Sequence, residues 1–95
     1  MKPHQPIIEK VYVKVNSDFD AAGYMQPRTI TWRDGRTFAI DTVRDFRPAS
    51  FLDKGHACDR YTVIIRGEEK YLFFEPVDRL FSGRVGRWFV ERVLQ

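Results

Sequence analysis

From Ile7 onward the chain alternates between apolar and polar residues with a period of two. Val11, Val13 and Val15 interleave with Tyr12, Lys14 and Asn16, the pattern of a strand with one face buried and the other wet, and Asn16-Ser17-Asp18 is expected to end it. Asp20-Ala21-Ala22-Gly23 reads as a loop. Arg28-Thr29-Ile30-Thr31-Trp32 then alternates again, with Ile30 and Trp32 on one face, and Arg33-Asp34-Gly35 turns the chain into a strand that puts Phe38 and Ile40 on one face. Parity selects the loop length. A two-residue Asp-Gly turn would set Trp32 opposite Thr37 and Phe38 opposite Thr31, mixing the faces. A three-residue loop with Gly35 in the left-handed conformation pairs Ile30 with Phe38 and Trp32 with the stem of Arg36.

Beyond Ile40 the alternation slips, because Val43 and Phe46 differ in parity, and a bulge is expected at Asp41-Thr42. Pro48 to Asp59 reads as a long loop anchored by Phe51 and Leu52. The next hairpin, with Gly67-Glu68 as its turn, would pair Arg66 with Glu69, Val63 with Leu72 and Tyr61 with Phe74. On the reverse face it would pair Ile64 with Tyr71 and Thr62 with Phe73. It is therefore apolar on both sides, and one helical turn within Val77 to Gly83, carrying Leu80 and Phe81, is expected to cover the second side. The last strand, Arg87 to Val93, is also apolar on both faces and belongs at the centre of a sheet or at an interface.

These elements predict an all-β fold: a small, strongly bent antiparallel sheet of about six strands, closing into a barrel or roll, with one short helical turn. A flatter sheet offering a surface to a second copy is the alternative. At 95 residues the chain has room for one core, so residues 7–95 are expected to form one domain behind a flexible tail at residues 1–6 marked by Pro3 and Pro6.

Sixteen basic and thirteen acidic residues leave a net charge of +3, a mixed surface that only mildly favours anionic partners. No apolar run spans a bilayer, and the first six residues lack the apolar stretch of a signal peptide. The single cysteine, Cys58, has no intramolecular disulfide partner, which agrees with a reducing, cytoplasmic setting.

Candidate chemistry is sparse. The nearest thing to a metal site is His56-Ala57-Cys58-Asp59 with Asp53 and His4 as extra ligands, but a single cysteine without paired ligands at recognisable spacing does not make a closed structural zinc site, so no metal or other cofactor is expected. Cys58 has a histidine two positions away but no sign of an oxyanion site. Ser17, Ser50 and Ser82 sit in turns without an elbow motif. Asp18 and Asp20 read as turn caps, Asp41 and Asp45 as cross-strand partners of arginines. Nothing here builds an enzyme.

The order Trp32, Gly35-Arg36-Thr37-Phe38 with Ile40 and Val43, then Arg60-Tyr61-Thr62-Val63, Leu72 with Phe74-Glu75, and Arg87-Trp88-Phe89-Val90-Glu91-Arg92-Val93 resembles two groups. One is a family of short, uncharacterised bacterial proteins. The other is a domain of unknown function at the C-terminal end of some Y-family DNA-polymerase-like proteins. None of the matching positions is a catalytic motif of the polymerase, so the resemblance implies no activity, only DNA-related work.

Two binding readings remain. Arg60, Arg66, Arg87 and Arg92 near Tyr61, Tyr71, Phe73 and Phe89 would suit single-stranded nucleic acid, with bases stacked on aromatics and cations on the backbone, although Glu68, Glu69, Glu75 and Glu91 interrupt the positive field. Association with a protein partner, or with a second copy, explains the two-sided hairpin and last strand without that field. The sequence thus points to a non-catalytic interaction module, protein first and nucleic acid second, with Arg66, Tyr71, Phe73, Arg87 and Phe89 as the binding surface.

Overall fold

The computed structural model describes residues 7–49, 58–76 and 85–94, and these form an antiparallel sheet of seven strands. The strands are β1 (Ile7–Phe19), β2 (Met25–Thr31), β3 (Thr37–Ala39), β4 (Thr42–Arg47), β5 (Asp59–Ile65), β6 (Glu68–Pro76) and β7 (Gly86–Leu94). Their order across the sheet is β3-β2-β1-β7-β6-β5-β4, which puts the last strand at the centre, as its two apolar faces require. The expected tail at residues 1–6, the helical turn within 77–83 and most of the 48–59 loop lie outside the described residues.

The sheet curls into a half-barrel with two corners, one within β1 and one between β3 and β4. β1 pairs with β7 from Ile7 to Val13 and with β2 from Lys14 to Phe19, so the strand crosses from one layer to the other at Val13. β3 and β4 occupy opposite edges of the sheet, yet only Ile40 and Asp41 separate them. The Ile40 amide donates to the Arg28 carbonyl at 2.9 Å, while the next amide, of Asp41, donates to Ile64 at 2.8 Å. Two adjacent amides therefore bond to opposite sides of the fold, which draws the sheet's edges together there. What reads in the sequence as one strand with a slip at Asp41-Thr42 is two strands about this corner, making seven rather than six; the bulge itself falls between Val43 and Asp45.

The first two hairpins share one design. Ala21-Ala22-Gly23 and Arg33-Asp34-Gly35 are three-residue loops with the glycine at φ 90° and 93°, and the flanking pairs Asp20 with Tyr24 and Trp32 with Arg36 are backbone-bonded. Ile30 faces Phe38, as parity demands. β1 continues through the polar Asn16-Ser17-Asp18 to Phe19, because Asp20 caps the turn: its Oδ1 accepts from the amides of Ala22 and Tyr24 at 3.0 and 2.9 Å. In the β5–β6 hairpin the turn is Arg66-Gly67, at φ 53° and 76°, so Tyr61 faces Leu72 and Val63 faces Lys70 rather than Phe74 and Leu72. A hairpin of this twist needs positive φ at both central positions, and it places glycine second.

The concave face holds the core: Ile30, Tyr61, Val63, Leu72, Phe74 and Trp88, ringed by Val13, Val15, Met25, Ile40, Val43, Ile65 and Val90. Val63 and Leu72 have no exposed surface. Tyr61 and Phe74 lean on Trp88 with ring centroids 5.3 and 4.9 Å away.

Candidate functional site

The centre of the sheet is incompletely zipped. β6 and β7 pair only from Phe73↔Phe89 to Pro76↔Gly86; beyond Phe73, β6 continues with β5 alone and β7 with β1 alone. The two-residue turn fixes which backbone groups face the gap. Ile65 and Glu68 flank it as a bonded pair, so the alternation directs Lys70 and Leu72 toward β5 and Glu69 and Tyr71 toward β7. By the same rule Val90 and Arg92 bond to β1, and Glu91 and Val93 point at the gap.

This opening holds a cavity of about 670 Å³. Consecutive residues of both strands line it, Glu68 to Tyr71 on one side and Val90 to Arg92 on the other. Neighbours in a strand point to opposite faces, so the cavity runs between the strands rather than over one face. Ile30, Trp32 and Phe38 of the β2–β3 hairpin, with Val63 and Ile65, give it an apolar floor.

On the convex face three strands meet at one carboxylate. Glu75 accepts from Lys10 Nζ at 3.0 Å, Arg87 Nη2 at 2.8 Å and the Tyr12 hydroxyl at 3.3 Å. Phe73 stacks on Phe89 at 5.0 Å, and Tyr12 meets the edge of Phe89 at 5.7 Å. Cations already cover these rings: Lys10 stands 4.8 Å from Phe89, Arg87 4.2 Å from Tyr12 and Arg60 4.6 Å from Tyr71.

The five residues singled out from sequence therefore separate. Phe89, expected on the surface, is 2% exposed under Tyr12, Phe73 and Lys10, so it is a packing residue. Arg87 is committed to Glu75. Phe73 is half-buried, and Tyr71 remains open at 49%. Arg66 sits in its turn 5.2 Å from the Phe38 ring, away from Arg87, but lines the opening with Tyr71 and Phe73. Asp45 pairs with Arg47 of its own strand at 3.2 Å, not across the ladder. Sequence reasoning missed Lys10 and Tyr12; their alternation with the valines was visible, but their neighbour, β7, lies at the far end of the chain.

His4, Asp53 and His56 lie outside the described residues. Cys58 is half-buried, and burial pushes its thiol pKa up, which keeps it protonated and a poor nucleophile at neutral pH. At Glu75 burial pushes the carboxyl up, but the hydrogen bonds from Lys10 and Arg87 outweigh it and hold it below its ordinary value of 4.5. A depressed folded pKa means the stabilisation is present above pH 4.5 and is lost as pH falls through the folded value. Because Lys10 and Arg87 are well exposed, Glu75→Gln is expected to cost only about 1 kcal/mol at pH 7, with a shallower acid limb in urea melts recorded from pH 7 to 2.

No protein-family model, no curated protein and no solved structure matches this chain.

Proposed function

We propose that this protein is a non-catalytic interaction module that takes up an extended segment of a protein partner between β6 and β7. The supporting observation is the ladder that stops at Phe73↔Phe89 and leaves two strand edges facing each other over an apolar floor. Strand edges bind extended chains through main-chain hydrogen bonds, and pockets beneath them select alternate side chains. Glu69 and Glu91 at the mouth discourage indiscriminate edge pairing. The nucleic-acid reading ranks second because the convex aromatics are already occupied by cations and Glu75 neutralises two of those.

The free protein is expected to show alternating amide exchange: fast at Glu69, Tyr71, Glu91 and Val93, slow at Lys70, Leu72, Val90 and Arg92, read residue by residue by NMR. Peptides selected from a randomised extended library should then slow the first set. Selected peptides that leave those four amides fast would refute strand uptake. Protection that grows with protein concentration alone would make a second copy the partner. Salt-sensitive shifts at Tyr71 and Arg87 with short oligonucleotides would favour nucleic acid.

A further inference from the structure

A second cavity, of about 750 Å³, lies at the β4–β5 side of the sheet and is lined by Lys10, Asp45, Arg47, Arg60 and the rings of Phe46 and Phe73, among others. In the ladder beneath it Arg47 stands directly opposite Arg60, and like charges so placed repel. Arg47 has Asp45 beside it, but that pair is well exposed and weak for that reason. Arg60 lies over the Tyr71 ring, its Nε is buried without a hydrogen-bond partner, and among the described residues no carboxylate is within ion-pair distance of it. A buried donor on a charged group is rarely left without an acceptor unless a water or ion serves it. Around the cavity Lys10 is already paired with Glu75 and Arg47 with Asp45, and Glu91 also lines it, so the field suits a small anion rather than a polyanion.

We infer that Arg47 and Arg60 together hold a phosphate group in this cavity. Guanidinium chemistry favours phosphate over carboxylate. A guanidinium presents a planar fork that one carboxylate saturates, whereas a tetrahedral anion has oxygens for two forks at once. The site stands apart from strand uptake, bordering that opening only at Phe73 and Glu91.

The test is an NMR titration of the full chain with sodium phosphate against sodium chloride at equal ionic strength, following the arginine Nε–H signals. Saturable shifts at Arg47 and Arg60 with a millimolar Kd are expected, weakened at least tenfold in Arg60→Gln and unchanged in Arg33→Gln on the β2–β3 turn. Arg60→Lys keeps the charge without the fork and is expected to fold and to lose affinity likewise. Adenosine monophosphate and phosphoserine, titrated in parallel, separate the sources: the tighter binder names a nucleotide or a phosphorylated protein, and equality with inorganic phosphate names the free ion. Linear shifts that chloride reproduces, or undiminished affinity in a folded Arg60→Lys, would overturn the site.

Discussion

Leu72→Ala is expected to lower the stability of the domain by about 3 kcal/mol, near the middle of the range for truncating a buried leucine. Leu72 is fully buried and packs in the cluster with Tyr61, Val63, Phe74 and Trp88. Its strand neighbour Tyr61 is anchored by β-sheet pairing on both sides, so collapse into the vacated space is restricted. The loss combines the transfer free energy of the deleted groups with the cavity they leave. A domain of this size has roughly 5–10 kcal/mol in total, so the variant should stay folded at 25 °C but melt about 12–24 °C lower. Calorimetry of both proteins checks this. A shift of only a few degrees would mean that Leu72 is not at the centre of the core. Tyr71→Ala, one residue away on the open face, is the control and should move the midpoint little.

That Leu72 and Tyr71 lie on opposite faces was legible in the sequence, because period-two alternation assigns faces; which of the two is buried was not, since both faces read as apolar. Loop length at Gly35 was legible for the same reason: the wrong loop would have mixed Ile30 and Phe38 with threonines. The β5–β6 register was not. Turns at Arg66-Gly67 and at Gly67-Glu68 both keep Tyr61, Val63, Leu72 and Phe74 on one face, so burial cannot choose between them. Only the positive φ at Arg66 and Gly67 decides, and arginine gives no sign of adopting it.

The site was less legible because it depends on which strands are neighbours. The pattern marked Phe73 and Phe89 as apolar on a second face but could not show that they pair with each other, bury each other, and end the ladder there. The opening between β6 and β7 is a missing stretch of pairing, and a single strand's pattern carries no trace of that. Arg47 opposite Arg60 was hidden too, since the bulge between Val43 and Asp45 shifts the register after the point where alternation had already slipped. What the sequence did mark was the two-sided apolar character of Leu72 to Phe74 and of Trp88-Phe89, which is where the ladder is zipped; the opening beyond it is flanked mostly by charged residues, Glu68, Glu69, Lys70, Glu91 and Arg92.

The short β6–β7 ladder makes Gly86 the most sensitive position outside the core. A Cβ built on Gly86 would run into the ring of Phe74 and come within 2.7 Å of the Glu75 carbonyl oxygen. The glycine leaves room for the tip of the Phe74 ring, its Cζ and Cε2, against the β7 backbone while the ring packs on Trp88. Gly86→Ala must therefore move Phe74 out of the core or push β7 away from β6, and overpacking of this kind costs about 2–3 kcal/mol. Only four residue pairs join these strands, so the strain falls on the contacts that set the width of the opening. The variant is expected to melt well below the wild type and to lose slow exchange at the Phe73 and Phe89 amides, whose bonds close the end of the ladder, while Leu72 stays protected through β5. Gly67→Ala serves as the comparison: its φ of 76° strains any side chain, but a Cβ there meets nothing within 4 Å, so it should cost about 1 kcal/mol and leave the β6–β7 amides slow. If Gly86→Ala melts no lower than Gly67→Ala, then Phe74 does not lie over β7, and the opening is bounded differently from the way described.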